Sequence, residues 1–212
     1  MSTENSKIKN PRRIPVEGNF LHYKIDDIVY GYLQASATFN PTDKVLYIPE
    51  KNMTSIRREL QQILDCKSHS TVTNKINGLI EKNLFALDEA GKRYVFPYDE
   101  TEKYKIISAD LLRELVVVYK PMVLKIFIYL LDKYEWKKES NSYYVFTLTE
   151  LSGAMGYASS SGRQDANIRI VLEHLRRTDM IDYEEFYEKN EITGKPVPRI
   201  RLLSVTRELK KS

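Results

Sequence analysis

The sequence predicts an α+β fold that is mostly helical and consists of two similar units in tandem. A pattern that begins at Ser68 recurs 96 residues later, at Gln164. In each copy a polar, helix-opening segment carries apolar residues at i, i+4 and i+7, which is the spacing of one buried helix face. A short apolar strand and a charged segment able to form a hairpin follow each copy. The order helix, helix, hairpin is that of a winged helix, so we expect two tandem winged-helix domains.

The repeated apolar positions define the face that each helix buries. In the first copy they are Val72, Ile76, Leu79 and Ile80. In the second copy they are Ile168, Leu172 and Leu175, with Arg176 in the last position. Side chains at this spacing predict helices that pack on a core with one side and leave the other side free.

The first unit is predicted over residues 20–100. Its elements, in chain order, are a helix over 24–38, a strand over 45–48, a helix over 52–65, the repeated helix over 68–83 and a hairpin over 85–96. Pro49 and Pro97 end strands because proline cannot donate to a strand ladder. Ser68 and Ser70 are both suitable N-caps for the repeated helix.

The second unit is predicted over residues 121–212, after a linker over 101–120 that contains a helix capped at Ser108. Proline disrupts a helix interior but is tolerated at the first position, so a new helix begins at Pro121. The later elements are a strand over 143–148, a short helix over 149–156 capped by Thr147 or Thr149, the repeated helix over 163–177 and strands over 181–187 and 199–205.

Charge is distributed unevenly along the chain. The net charge of +4 is only mildly basic. Residues 1–19 are polar, contain two prolines and carry the basic run 7–13, so they are predicted to be a flexible basic arm. By contrast, residues 179–191 are strongly acidic. A face that carries this acidic segment is unfavourable for contact with phosphate.

Composition argues against several classes of protein. The single Cys66 excludes an intrachain disulfide and a cysteine-rich zinc site, and the three isolated His residues do not have metal-ligand spacing. No apolar run approaches the roughly 20 residues that span a membrane, and the amino terminus lacks a signal-peptide apolar region. We therefore expect a cytoplasmic chain with no metal, no cofactor and no membrane contact.

Motifs of catalysis are missing from the sequence. Gly91-Lys92 and Gly194-Lys195 lack the upstream glycine of a phosphate-binding loop, and no G-x-S-x-G occurs. The carboxylates are scattered over helix faces, where a solvated role is the default. The sequence therefore predicts a binding protein and not an enzyme.

The outward positions of the repeated helices are candidates for DNA contact. In a helix-turn-helix, the second helix enters the major groove, where Asn and Gln can pair with adenine and Arg with guanine. The candidates are His69, Thr71, Thr73, Asn74, Lys75 and Asn77 in the first copy, and Arg163, Gln164, Asn167 and Arg169 in the second. Basic residues of the hairpins could lie along phosphate, namely Lys92 and Arg93 in the first and Lys195, Arg199 and Arg201 in the second. Acidic residues on the opposite strand of the second hairpin make contact of that hairpin with phosphate less favourable.

Part of the second unit resembles a known family. The run FTLTELSGAMGY over 146–157, the segment 168–182 and the charged hairpin up to Leu203 resemble winged helices of plasmid and phage replication initiators. The tandem arrangement is similar to initiators that bind repeated origin sequences, and the helix at Pro121 is similar to the amino-terminal module of DnaD-like replisome organisers. The resemblance implies binding of double-stranded DNA at an origin and contact with replication proteins of the host.

The residues alone are also compatible with two other functions. A transcriptional regulator could dock on DNA in the same way. Some tandem winged helices instead bind protein segments, and the acidic run over 179–191 and the 15 Tyr residues favour such an interaction module. A homodimer is compatible with each of these functions.

Overall fold

The computed structural model describes residues 13–17, 27–43, 45–66, 68–97, 104–118, 121–156 and 162–208. Within these ranges the chain is an α+β fold with antiparallel sheets of two, four and three strands, which confirms the mixed class predicted from the sequence. The helices are α1 (Asp27–Ser36), α2 (Met53–Ile63), α3 (His69–Glu81), α4 (Ala109–Val117), α5 (Pro121–Glu139), α6 (Leu148–Ala154) and α7 (Gly162–Arg177). The strands are β1 (Arg13–Glu17), β2 (Thr38–Asn40), β3 (Val45–Pro49), β4 (Ala86–Asp88), β5 (Arg93–Phe96), β6 (Tyr104–Ser108), β7 (Tyr144–Phe146), β8 (Ile181–Lys189) and β9 (Pro196–Val205).

The two halves of the chain share one order of elements. Each has a helix, a strand, a pair of helices and a hairpin, and β2 is an additional edge strand in the first half. The sheet orders are β2-β3-β5-β4 and β7-β9-β8. In both sheets the strand that precedes the helix pair bonds to the last strand of the hairpin. In the second half, the first hairpin strand, β8, also packs against α7, the second helix of the pair.

The repeat extends to the way in which α3 and α7 end. Asn83 and Asp179 adopt φ of +55° and +56°, in the left-handed region where Asn and Asp are tolerated. The next residue in each copy closes the helix, because the N–H of Leu84 donates to the carbonyl of Leu79 at 3.0 Å and that of Met180 donates to Leu175 at 2.9 Å. Leu84 and Met180 are both buried. Each helix therefore turns into its following strand with the same geometry.

Two helix starts resolve alternatives that the sequence left open. The hydroxyl of Ser68 accepts from the N–H of Ser70 at 3.2 Å, so Ser68 is the N-cap of α3. At α6 the hydroxyl of Thr147 accepts from the N–H of Glu150, and the Glu150 carboxylate accepts from the N–H of Thr147 at 2.6 Å. This reciprocal capping box fixes the start of α6 at Leu148.

Two pairings lie outside what the sequence predicted. Residues 13–17, within the predicted arm over 1–19, form β1 and pair with β6 from Arg13 opposite Ser108 to Glu17 opposite Tyr104. Both segments contain β-branched residues, which favour strands, but their pairing joins distant parts of the chain. The other arm residues lie outside the described ranges. Strand β2 begins at Thr38, the last residue of the helix predicted over 24–38, and continues through residues 39 and 40, for which the sequence predicted no element.

The predicted linker helix is part of the core. In α4, Leu111, Leu112 and Leu115 are fully buried, and the helix packs against both α1 and α5. Buried side chains from α1 through β9 form one continuous hydrophobic cluster. The carboxy-terminal segment closes back onto this region, since the N–H of Ser108 donates to the carbonyl of Arg207 at 2.8 Å. None of the helices in the described ranges is long and apolar enough to cross a membrane.

A polar cluster joins α1, α2 and α4 at the edge of this core. The Tyr32 hydroxyl donates to Glu59, and Arg113 donates to both of them at 2.9 Å while its guanidinium lies over the Tyr32 ring. Burial of the phenol, together with its hydrogen bond to Glu59, raises the pKa of Tyr32 to about 12. The hydroxyl therefore stays protonated at neutral pH and can donate.

Truncating one buried leucine in either half should destabilise the whole chain. We expect Leu79→Ala and Leu175→Ala each to lower the free energy of unfolding by about 2–5 kcal/mol, since both side chains are buried in one core. Urea unfolding should give one transition, with the same midpoint from far-ultraviolet circular dichroism and from the fluorescence of Trp136. The control is Ile170→Ala, an exposed position on α7, which should change stability by less than about 0.5 kcal/mol. Two separate transitions would show that the halves unfold independently.

Removing the Tyr32 hydroxyl should lower stability in a pH-dependent way. We expect Tyr32→Phe to cost about 1 kcal/mol below pH 10, because two partly buried hydrogen bonds are lost. The folded state holds the phenol proton more tightly than the unfolded chain, so the advantage of the wild type should shrink as pH rises from about 10 towards 12. Urea midpoints at pH 8 and pH 11 measure the effect. Tyr187→Phe, at an exposed tyrosine, should show no such difference.

Candidate nucleic-acid interface

The solvent side of α3 is formed by short polar side chains. Val72, Ile76 and Leu79 are buried and fix the opposite side of the helix on the core. Of the six residues predicted to face outward, three are exposed: His69, Asn74 and Asn77. Among the described residues the two amides have no hydrogen-bond partner. They are therefore available to an external ligand.

The other three predicted positions of α3 are less open. Thr71, Thr73 and Lys75 are half-buried, and the Thr73 hydroxyl donates to the carbonyl of His69 at 3.1 Å, so it is engaged within the helix. Ser70 is also exposed, although it was not among the residues predicted to contact DNA. Its position could have been found from the spacing 70, 74, 77, which runs opposite the buried stripe 72, 76, 79.

The solvent side of α7 differs in chemistry from that of α3. Arg163, Asn167 and Arg169 are exposed and Gln164 is half-buried. The ridge that points directly away from the core also contains residues that were not predicted to contact DNA, namely Ala166, Ile170, Glu173 and Arg177. This ridge carries one large apolar side chain among charged residues.

Arg169 is turned towards the second hairpin. Its Nη1 donates to the Glu185 carboxylate at 2.7 Å, and this hydrogen bond raises the pKa of Arg169 above its ordinary value. Because Glu185 lies on β8, the pair links α7 to the hairpin. A phosphate or a base would have to displace this carboxylate in order to use the guanidinium.

At the first hairpin, Lys92 and Arg93 have different environments. Lys92 is exposed at the turn with φ of +46°, and within the described part of the chain its ammonium group makes no ion pair. Arg93 is half-buried, donates to Asp88 at 2.8 Å and Asp43 at 3.4 Å, and lies over the Tyr47 ring. Among the described residues Lys92 is thus an unpaired cation, whereas Arg93 holds the hairpin against its neighbouring strand.

The turn of the first hairpin is compact around Asp88. The N–H of Gly91 donates to the Asp88 carboxylate at 3.0 Å, and this bond together with Arg93 lowers the pKa of Asp88 below its ordinary value. A Cβ at Gly91 would lie 2.5 Å from Asp88 Oδ2, so only glycine fits without movement of that carboxylate. The turn therefore presents Lys92 at its tip in a defined position.

The arginines of the second hairpin are neutralised by acids of the same chain. Arg199 donates to Glu188 at 2.9 Å and contacts Glu150 at 3.5 Å. Arg201 donates to Glu184 at 2.5 Å, and its guanidinium lies over the rings of Tyr143 at 5.6 Å and Phe186 at 4.9 Å. The pair of Arg201 with Glu184 arises because β8 pairs with β9 in a register that sets these two residues opposite each other. Lys195, at the exposed turn, makes no ion pair within the described ranges.

Together these contacts divide the predicted residues into two groups. Four of the predicted arginines are held by carboxylates of the same chain, namely Arg93, Arg169, Arg199 and Arg201. The exposed helix positions and the two turn lysines stay open to solvent. Direct readout could therefore come from the helix faces, and phosphate contact from the turns.

Comparison with protein-family models, with curated proteins and with solved structures gives no match for this chain. In the part of the chain that the structure describes, no three His, Cys, Asp or Glu side chains are grouped so that they could hold a metal ion.

Proposed function

We propose that this protein binds double-stranded DNA sequence-specifically through two winged helices. The observation that carries the proposal is the exposed side of α3, where Ser70, Asn74 and Asn77 project opposite a fully buried aliphatic stripe. The helix has a single acid, Glu81, at its far end. A neutral, hydrogen-bonding helix face of this kind suits the major groove, where amides can pair with adenine.

The arrangement of elements supports a winged-helix reading of each half. A strand before the helix pair bonds to the second strand of the hairpin in both sheets. In the second half the hairpin strand β8 also packs against the outward helix α7. In such a module, the helix lies in the groove and the hairpin follows the backbone. Lys92 at the tip of the first hairpin is a suitable phosphate contact because it is exposed and makes no ion pair with another described residue.

Within this function we propose a cytoplasmic origin-binding or replication-initiating protein of a plasmid, phage or other mobile element. The proposal rests on the resemblance of 146–157 and 168–182 to initiator winged helices, and it implies contact with replication proteins of the host. A transcriptional regulator would use the same docking. Footprinting distinguishes the two, because direct repeats in an origin favour initiation and a palindrome over a promoter favours regulation.

A second candidate function, protein–protein interaction, is favoured by the second hairpin. Its arginines are neutralised, and residues 121–208 contain as many acidic as basic side chains. Tyr187 and Ile192 are largely exposed on the same hairpin. A gel-shift series with random duplex discriminates between the candidates, since undetectable binding even at low salt would favour the protein partner.

Replacing the amides of α3 should weaken specific binding. We expect Asn74→Ala and Asn77→Ala each to reduce affinity for a selected duplex by about 1–3 kcal/mol and to relax preference at one base pair. Selection of bound oligonucleotides from a random pool supplies the duplex, and fluorescence anisotropy measures affinity. Asn141→Gly, at a turn after α5 with φ of +53°, is the control and should leave affinity unchanged. Equal affinity of the α3 variants and the wild type would exclude α3 as the reading helix.

Replacing Lys92 should weaken binding to every sequence alike. We expect Lys92→Ala to flatten the dependence of log K on log salt by about 1, the effect of one lost phosphate contact. The matched control combines Glu184→Gln with Arg201→Gln, which removes an ion pair from the second hairpin and preserves the net charge. Its salt slope should equal that of the wild type. A flattened slope in this control alone would assign phosphate contact to the second hairpin.

A further inference from the structure

One large apolar side chain on α7 faces solvent. Ile168, Val171, Leu172 and Leu175 are at most 9% exposed, whereas Ile170 is 66% exposed. Ile170 lies on the ridge that points away from the core, one turn after the exposed Ala166 and one turn before Glu173. It therefore makes no contribution to the buried side of the helix.

Folding does not account for an isoleucine at this position. A β-branched side chain lowers helix propensity because its rotamers are restricted against the preceding turn. At 66% exposure the side chain also gains little from hydrophobic burial. The same position of the repeat, 96 residues earlier, is occupied by Asn74, which is exposed on α3. The two helices thus present an amide and an aliphatic group at equivalent places.

Major-groove chemistry gives these two side chains different partners. An amide can form two hydrogen bonds with adenine, whereas an aliphatic side chain can contact the C5 methyl group that thymine alone of the four bases presents there. Arg163 precedes Ile170 by two turns on the same ridge, and in the described part of the chain it makes no ion pair, so it can hold the helix on phosphate or guanine.

We propose that Ile170 is a specificity-determining residue that reads a thymine methyl group, so that α7 selects an A·T pair at one position of its site. This inference rests on the proposed function, because it requires α7 to enter the major groove. An isolated isoleucine bordered by Glu173 and Arg177, which pair with each other at 3.0 Å, is a small apolar contact suited to one methyl group.

The test removes only the methyl group from the DNA. A duplex is first selected from a random pool with the full chain, and each thymine in it is then replaced singly by deoxyuridine. We expect one replacement to weaken binding by the wild type about fourfold, the loss of one buried methyl contact. The Ile170→Ala variant should bind the thymine duplex about as weakly as the wild type binds the uracil duplex, and should not distinguish the two. Ile192→Ala, at an isoleucine of the second hairpin turn that is 94% exposed, is the control and should keep the wild-type discrimination.

The possible results separate this inference from the proposed function. One result is an enriched duplex whose affinity is unchanged by replacing any of its thymines with deoxyuridine. This result would overturn the role of Ile170 and leave DNA binding intact. Discrimination against uracil that persists in Ile170→Ala would also overturn it and would assign the methyl contact to another residue. If no duplex is enriched, both the proposed function and the inference fail, and Ile170 becomes apolar surface for a protein partner.

Discussion

The structure depends on two equivalent stripes of buried aliphatic side chains. Val72, Ile76 and Leu79 hold α3 on the core, and the residues 96 positions later hold α7 in the same way. Because a helix has a period of 3.6 residues, fixing one side determines which residues reach solvent on the other. The open faces of both helices, and every property proposed for them, follow from this burial.

The two halves share this framework but differ in the charged side chains that they expose. At the first hairpin, Arg93 pairs with a carboxylate of the same chain, whereas Lys92 is exposed to solvent. At the second, carboxylates on β8 neutralise Arg169 and Arg201. Exposed ion pairs of this kind contribute little stability, so their main effect is on the charge that the surface presents. In the described residues of the second half, helix side chains and one turn lysine are therefore exposed to solvent, and few cations of the sheet are unpaired.

Local signals made much of the fold predictable from the sequence. The aliphatic periodicity gave the repeated helices, Ser108 and Pro121 marked helix starts, and the polar turns marked the hairpins. The pairing of β1 with β6 had no such signal, because it joins short strands from distant parts of the chain. The ion pairs of the second hairpin were equally hidden, since they depend on strand register. The exposure of Ile170 follows from the helical period of α7, but an aliphatic side chain carries none of the polar signals that indicate a contact with bases.

The continuity of the core limits how the two outward helices could act together. Helix α4 packs against α1 of the first half and α5 of the second, and its leucines belong to the cluster that runs through both. Modules joined by a flexible chain can adjust to subsites at many spacings. Two helices that are fixed on one packed interior cannot adjust their spacing in this way, because protein cores resist deformation. If α3 and α7 both enter grooves of one duplex, their subsites must lie at a single spacing, and that spacing becomes part of the sequence that the protein recognises.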